Sequence, residues 1–162
     1  MKIRPAEPRD AEAIAAIHNQ GIAERQATFE TRERTAADVE MQMIGTLPFL
    51  VAEDDGRVVG WAKLSPFSER ECYAGVNEAS IYLDRAARGR GVGRALLSAL
   101  EDAARATGHW KIIGLLFPEN TASVALFRAA GYREVGTYAR HGRLDGAWRD
   151  VVLVEKAIAG DA

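Results

Sequence analysis

A glycine-rich turn between a short apolar strand and a long amphipathic helix most constrains the fold of this chain. The turn reads Arg88, Gly89, Arg90, Gly91, Val92, Gly93, Arg94. Glycines let the backbone approach a ligand closely, and the start of the next helix presents unpaired N–H groups to it. The turn therefore predicts a site for an anion, above all a pyrophosphate, with the arginines adding positive charge.

Several other interpretations share parts of this pattern. A dinucleotide-binding fold needs Gly-x-Gly-x-x-Gly after its first strand, whereas these glycines alternate and lie mid-chain. A nucleotide P-loop needs Lys and then Ser or Thr after its last glycine, but Gly93 is followed by Arg94 and Ala95. An RNA-binding Arg/Gly segment is disfavoured by the net charge of −2. The structural alternative is a plain glycine turn with solvated arginines.

Helical and strand patterns alternate around the turn and predict a mixed α/β sheet in a single domain, residues 1–162. The expected order is β-α-α-β-β-β-α-β-α-β-β. After a first strand near Ile3, strands are predicted at 49–52, 58–62, 79–83, 111–117, 132–140 and 148–155. Helices are predicted at 10–20, from 35, at 91–108 and at 121–130. Asp10 is the expected N-cap of the first helix, Thr35 with Asp38 resembles a capping box, and Asp55-Gly56 predicts a hairpin.

Composition excludes several classes of protein. The single cysteine, Cys72, excludes an intrachain disulfide framework and a multi-cysteine zinc site, and no local signature makes it a nucleophile. The three histidines lack metal-ligand spacing, so no metal is expected. A pI near 6.0 gives no global attraction to nucleic acid or an anionic membrane. No apolar run resembles a signal peptide or a membrane span, so we expect a cytoplasmic protein.

Three motifs, in order along the chain, resemble those of the GCN5-related N-acetyltransferase (GNAT) superfamily. Its pyrophosphate loop reads Arg/Gln-x-x-Gly-x-Gly/Ala, which residues 88–93 match position by position. Residues 81–83 resemble the strand beside the pantetheine arm, and residues 120–132 resemble a second signature. The resemblance covers Ile3 to Glu155 and implies the GNAT fold. In that fold a central sheet of about seven strands, splayed at its centre, is flanked by about four helices.

The resemblance implies acetyl-CoA as co-substrate and direct acetyl transfer without an acyl-enzyme. The backbone N–H of Leu83 is then the expected oxyanion donor. A homodimer is also implied. The residues expected to bind acetyl-CoA are Ile81, Tyr82, Leu83, Arg88, Gly89, Arg90, Gly91, Val92, Gly93, Arg94, Asn120, Ser123 and Phe127.

The segment before the loop, Glu78 to Leu83, looks like that of the phosphinothricin acetyltransferase subgroup. Further matches lie at residues 27–31, 73–76, 117–123 and 146–150, and together they look most like arsinothricin N-acetyltransferases. The implied acceptor is the α-amino group of a glutamate-like amino acid that carries a phosphinate, sulfoximine or arsinate head group.

An α-amino group has a pKa of about 8 and must lose a proton before it attacks a thioester. The resemblance makes Glu78 the candidate general base, the alternative being an ordinary acid at a strand end. Arg70 and Tyr73 match positions that hold the anionic end of the acceptor, and a guanidinium fork suits an oxyanion. Phe29 matches an aromatic pocket wall. The alternatives are a solvated arginine for Arg70 and core packing for the two aromatic rings.

Two residues depart from the subgroup's pattern. Ser68 stands where some relatives carry lysine, and Phe127 replaces a tyrosine or histidine that protonates the leaving thiolate. Water, Tyr132 or Tyr138 could replace that donor, or the thiolate leaves unprotonated. Two rival functions remain: an acetyl-CoA sensor without catalysis, and an acetyltransferase for protein N-termini or polyamines. A sensor needs the loop but not Glu78.

Overall fold

The computed structural model describes residues 1–159, and in it one seven-stranded sheet is flanked by four α-helices. The strands are β1 (Lys2–Pro5), β2 (Phe49–Asp54), β3 (Arg57–Pro66), β4 (Val76–Leu83), β5 (Lys111–Leu116), β6 (Arg133–Leu144) and β7 (Ala147–Ala157). The helices are α1 (Ala11–Glu24), α2 (Ala36–Gln42), α3 (Val92–Ala106) and α4 (Thr121–Ala129). The predicted order of elements is confirmed.

The sheet has the strand order β1-β2-β3-β4-β5-β7-β6, and it splits at its centre. β4 and β5, its parallel pair, are in register for three residue pairs, the last being Glu78 with Ile113. Beyond Glu78, β4 stays paired with β3, while β5 continues along β7. The predicted splayed centre is confirmed, and it leaves one edge of β4 open from Ala79 onward.

Helices cover both faces of the sheet. On one face α3 packs through Leu96, Leu97 and Leu100, which are fully buried. On the other face α1 packs Ile14 against Trp61 of β3, in a cluster that α2 also joins. Each such side chain contributes about 1.5–3 kcal/mol of hydrophobic stabilisation, which fixes the helix starts relative to the strands. The glycine turn before α3 is thereby held beside the open edge of β4.

Two local predictions are confirmed. Thr35 Oγ1 accepts a hydrogen bond from the N–H of Asp38 and the Asp38 carboxylate accepts one from the N–H of Thr35, which completes the capping box of α2. The β2–β3 hairpin turns at Asp55 and Gly56, which have positive φ angles of 49° and 75°.

None of the helices within residues 1–159 is both long and apolar enough to cross a bilayer.

One prediction about α1 is wrong in extent, and another is confirmed in position but not in its hydrogen bond. The helix extends four residues beyond Gln20, because Gly21 continues it where the Tyr82 ring leaves no room for a side chain: a Cβ at Gly21 would lie 2.8 Å from that ring. Asp10 is the N-cap residue, but its side chain makes no cap hydrogen bond. Its carboxylate instead accepts hydrogen bonds from Arg4 and from the N–H of Glu7.

Candidate active site

Two cavities, each of about 430 Å³, lie along the open edge of β4. One contains Glu78 and is bounded by β3, β5 and the segment between α1 and α2; we call it the glutamate cavity. The other is bounded by the glycine turn and the start of α4; we call it the loop cavity. The cavities share the lining residues Ala27, Ile81, Tyr82, Asn120 and Ser123. Two ligands bound in them would therefore meet beside β4.

The glycine turn at the loop cavity is built to receive an anion. Gly89 and Gly91 have φ angles of 73° and 82°, and Gly91 is the N-cap of α3 without a side-chain cap hydrogen bond. Among the described residues, no heavy atom lies within 4 Å of a Cβ added at either glycine, so neighbouring packing does not demand them. The backbone is thus left open to a ligand at the positive end of the helix dipole. This geometry fits a diphosphate group.

Most of the residues predicted to bind acetyl-CoA line the loop cavity: Ile81, Tyr82, Leu83, Arg88, Gly89, Gly91, Gly93, Arg94, Asn120 and Ser123. Three are placed elsewhere. Arg90 lies 3.2 Å from Asp54 in an exposed ion pair, and Val92, the first residue of α3, is buried in the core. Phe127 is also buried, and it lines the glutamate cavity instead.

Arg88 is engaged by a carboxylate that the sequence pattern did not indicate. Both of its terminal nitrogens donate to Glu24 of α1, each at 2.7 Å, and this guanidinium lowers the pKa of the Glu24 carboxyl. The pair is partly exposed, and such pairs contribute about 0–1 kcal/mol. Breaking the ion pair between Arg88 and Glu24 therefore costs little free energy, so Arg88 is available to a bound dianion.

Glu78 occupies the fork where β4 leaves β5. Its side chain lines the glutamate cavity, and burial raises the pKa of its carboxyl, an effect that the nearby Lys63 ammonium partly opposes. A carboxylate that holds a proton more tightly is a better base toward an ammonium group. The Tyr82 hydroxyl is not a competing base, because burial raises its pKa to about 12.

The open edge of β4 also carries backbone donors. The N–H of Asp84 donates to the carbonyl of Val59 on β3, and Gly75 accepts from Lys111 on the opposite side. Backbone groups of successive residues point to alternate sides of a strand. Since β3 and β4 keep register through Leu83, the N–H groups of Ile81 and Leu83 point away from β3, into the gap that β5 has left.

Sequence reasoning missed a polar cluster in the glutamate cavity. His18, 1% exposed, donates from Nε2 to a Glu30 oxygen at 2.7 Å, and Arg34 donates to the other oxygen at 2.9 Å. Burial lowers the pKa of His18, so the ring is neutral with its proton on the nitrogen that faces the carboxylate. Lys63 also lines this cavity. A lysine amid an apolar strand is the signal that could have revealed it.

Of the three residues predicted to bind the acceptor, one lines the glutamate cavity and two do not. Phe29 lines the glutamate cavity, with its ring edge-on to Phe117 at a centroid distance of 4.7 Å. Arg70 and Tyr73 lie on the loop between β3 and β4, with the guanidinium 5.5 Å from the Tyr73 ring centroid. Neither is among the described residues that line the two cavities. Their role in holding the acceptor stays a prediction.

Tyr132 and Tyr138 are the remaining candidates for proton transfer. Tyr132 is buried in the core against Phe127, and Tyr138 stacks on His141. Neither tyrosine is among the described residues that line the cavities. Within residues 1–159, no group of three or more His, Cys, Asp or Glu side chains is arranged to hold a metal ion.

Comparison with known proteins gives consistent results. A model of the acetyltransferase (GNAT) family matches residues 17–132. A phosphinothricin N-acetyltransferase from Alcaligenes faecalis is 35% identical over 98% of this chain and 84% of its own length. An L-methionine sulfoximine/L-methionine sulfone acetyltransferase from Salmonella typhimurium is 31% identical over 96% of this chain and 93% of its own length. The crystal structure of a phosphinothricin acetyltransferase from Sinorhizobium meliloti, with acetyl-CoA bound, superposes with a TM-score of 0.91. The two sequences are 31% identical, and the match covers 96% of this chain and 87% of the other.

Proposed function

Because the chain belongs to the GNAT family of acetyltransferases, we propose that it acetylates the α-amino group of a glutamate-like amino acid, with Glu78 as general base. Relatives named for phosphinothricin and for methionine sulfoximine support an amino-acid N-acetyltransferase that uses acetyl-CoA. The observation that carries the proposal is the position of Glu78, a carboxyl with a raised pKa at the fork of β4 and β5, in a cavity that shares lining residues with the loop cavity.

The loop cavity is the proposed site of acetyl-CoA, which supplies the acetyl group as a thioester. The uncapped start of α3 and Arg94 would hold its diphosphate. The open edge of β4 would align the rest of the molecule. The N–H of Leu83, pointing into the gap, is the proposed donor to the acyl oxygen, and one such donor contributes about 3 kcal/mol to catalysis.

The glutamate cavity is the proposed acceptor site. Glu78 would take a proton from the acceptor's ammonium group, directly or through one water molecule, and so free the nitrogen lone pair for attack on the thioester carbonyl carbon. As the C–N bond forms, the C–S bond would break, and the second proton lost by the nitrogen would pass through water to the leaving thiolate. Phe29 and Phe117 form an apolar wall that would exclude bulk water from the reacting groups. Arsinothricin, phosphinothricin and methionine sulfoximine are the candidate acceptors.

The pH dependence of turnover follows from the raised pKa of Glu78. A general base works only when deprotonated, so activity is lost as the pH falls through the pKa of this carboxyl. Because burial raises that pKa above the ordinary value of 4.5, we expect the acid limb of kcat/KM at a higher pH than for an exposed glutamate. A pH–rate profile measures this, and a limb at or below pH 4.5 would contradict it.

A thiol-release assay tests the proposed function. Acetyl-CoA is supplied with arsinothricin, phosphinothricin, methionine sulfoximine, ordinary amino acids, a peptide with a free N-terminus, or a polyamine. We expect turnover with at least one of the first three compounds. Turnover with only the peptide or the polyamine would contradict the proposed acceptor. Acetyl-CoA binding without turnover on any amine would indicate a sensor.

Two expectations from the sequence remain predictions. The resemblance implies a homodimer, which light scattering on the purified protein would detect. The expected cytoplasmic location is likewise a prediction, and fractionation of the source cells would test it.

A further inference from the structure

The glutamate cavity contains two opposite charges that the protein does not pair with each other. Lys63 on β3 lies opposite Ser80, and Glu78 on β4 lies opposite Ser65, so the two charged residues are diagonal neighbours on one sheet face. Diagonal neighbours are separated by about 7 Å. Within residues 1–159, neither side chain has an oppositely charged partner within 4.0 Å, although each influences the pKa of the other.

The other charged groups of the cavity are already engaged. Arg34 and Glu30 form an ion pair at 2.9 Å, and the neutral His18 donates to the same carboxylate. The Lys63 ammonium, by contrast, donates one long hydrogen bond of 3.4 Å, to Gln42 Oε1, which also accepts from Arg34 at 3.2 Å, and it lies 5.8 Å from the centre of the Phe49 ring. An ammonium group has three donors, so Lys63 keeps donors available for a ligand.

We propose that Lys63 binds the anionic side-chain group of the acceptor while Glu78 receives its amino group. The inference rests on the proposed function and adds a specificity residue to it: Lys63 would favour acceptors whose head group is an oxyanion over those whose head group is uncharged. In a glutamate-like molecule about 5 Å separates the amino nitrogen from the head group, whereas the α-carboxylate lies one carbon from the nitrogen. Because the charged groups of Glu78 and Lys63 are not within ion-pair distance of each other, they suit two groups at opposite ends of such a molecule better than two groups on one carbon.

The binding of acceptors by the variant Lys63→Met tests this assignment. Methionine keeps most of the volume and removes the charge, so the partly buried position still packs. Losing a charge-assisted hydrogen bond raises KM by about 10- to 100-fold. We expect that rise for phosphinothricin, whose phosphinate is anionic, and little change for methionine sulfone, whose head group is uncharged. The KM for acetyl-CoA should stay constant, which also shows that the variant is folded.

Three further variants sharpen the test. Lys63→Arg keeps the positive charge and should restore most of the preference for phosphinothricin. Lys2→Met removes the same charge from an exposed position on β1 and should leave both acceptor KM values unchanged. Arg70→Met tests the competing assignment, in which Arg70 binds the anionic head group. If Arg70→Met raised the KM for phosphinothricin more than Lys63→Met does, that assignment would be supported and the inference overturned.

The remaining outcomes are also decisive. An equal rise for phosphinothricin and methionine sulfone would place Lys63 on the α-carboxylate and contradict the proposal. An unchanged KM for both, with an acid limb of the pH–rate profile moved to higher pH, would show that Lys63 acts only on Glu78, and this too would overturn it. A wild-type protein that acetylates neither compound would instead be a failure of the proposed function, so the two failures are distinguishable.

Discussion

Glu78→Gln is expected to lower kcat by about 10²- to 10⁴-fold, the range measured for loss of a general base, while acetyl-CoA binding is retained. Glutamine has nearly the same shape and cannot accept the proton of the acceptor's ammonium group. Glu78 is not among the described residues that line the loop cavity, so the binding of acetyl-CoA should be nearly unchanged. Single-turnover kinetics and calorimetric titration with acetyl-CoA measure the two quantities separately.

The stability of the same variant provides an independent check. A carboxyl whose pKa is raised by folding costs stability once the pH exceeds its unfolded value of 4.5, because the folded state then resists losing the proton. Glutamine has no such cost. We therefore expect the Tm of Glu78→Gln at neutral pH to equal or exceed that of the wild type, although its turnover is nearly lost.

Glu12→Gln is the matched control, since it makes the same chemical change at an exposed position on α1. It should leave kcat unchanged and lower Tm only slightly, because it removes one carboxylate from the first turn of α1. If Glu78→Gln kept the wild-type kcat, Glu78 would be an ordinary acid at a strand end with no role as general base. If it lost both turnover and Tm, Glu78 would act through the fold rather than through the proton.

The sequence predicted features that neighbouring residues determine. The capping box at Thr35, the hairpin at Asp55-Gly56 and the glycine turn before α3 each depend on contacts within a few residues, so local patterns were sufficient. The splayed sheet came from the resemblance to a family, since β4 and β5 are separated in sequence by the whole of α3.

The polar groups that line the two cavities could not be predicted in the same way. His18 and Glu30 are twelve residues apart, and Arg88 meets Glu24 across sixty-four residues. No local spacing links such residues, because folding brings them together from α1, the segment after it and the turn that follows β4. Arg70 shows the converse: its matching position suggested an acceptor residue, but the single chain places it on a loop outside the described cavity lining.

Gly91→Asn is the second change with a large expected effect, on acetyl-CoA rather than on the proton. Asparagine tolerates a φ of 82° better than other side chains, and a Cβ at this position would meet no described heavy atom within 4 Å. The fold should therefore persist. The new side chain would occupy the approach to the uncapped start of α3, and losing hydrogen bonds to a charged ligand raises KM by about 10- to 100-fold.

Gly56→Asn separates backbone strain from blocked access, because Gly56 has a φ of 75° and equally open surroundings, but it lies in the β2–β3 hairpin. Both substitutions should lower Tm by similar small amounts, since the conformational penalty is the same. Only Gly91→Asn should raise the KM for acetyl-CoA, with the KM for the acceptor unchanged. An unchanged KM for acetyl-CoA in Gly91→Asn would show that the diphosphate binds elsewhere, and an equal rise in both variants would show that the effect comes from lost stability rather than from blocked access.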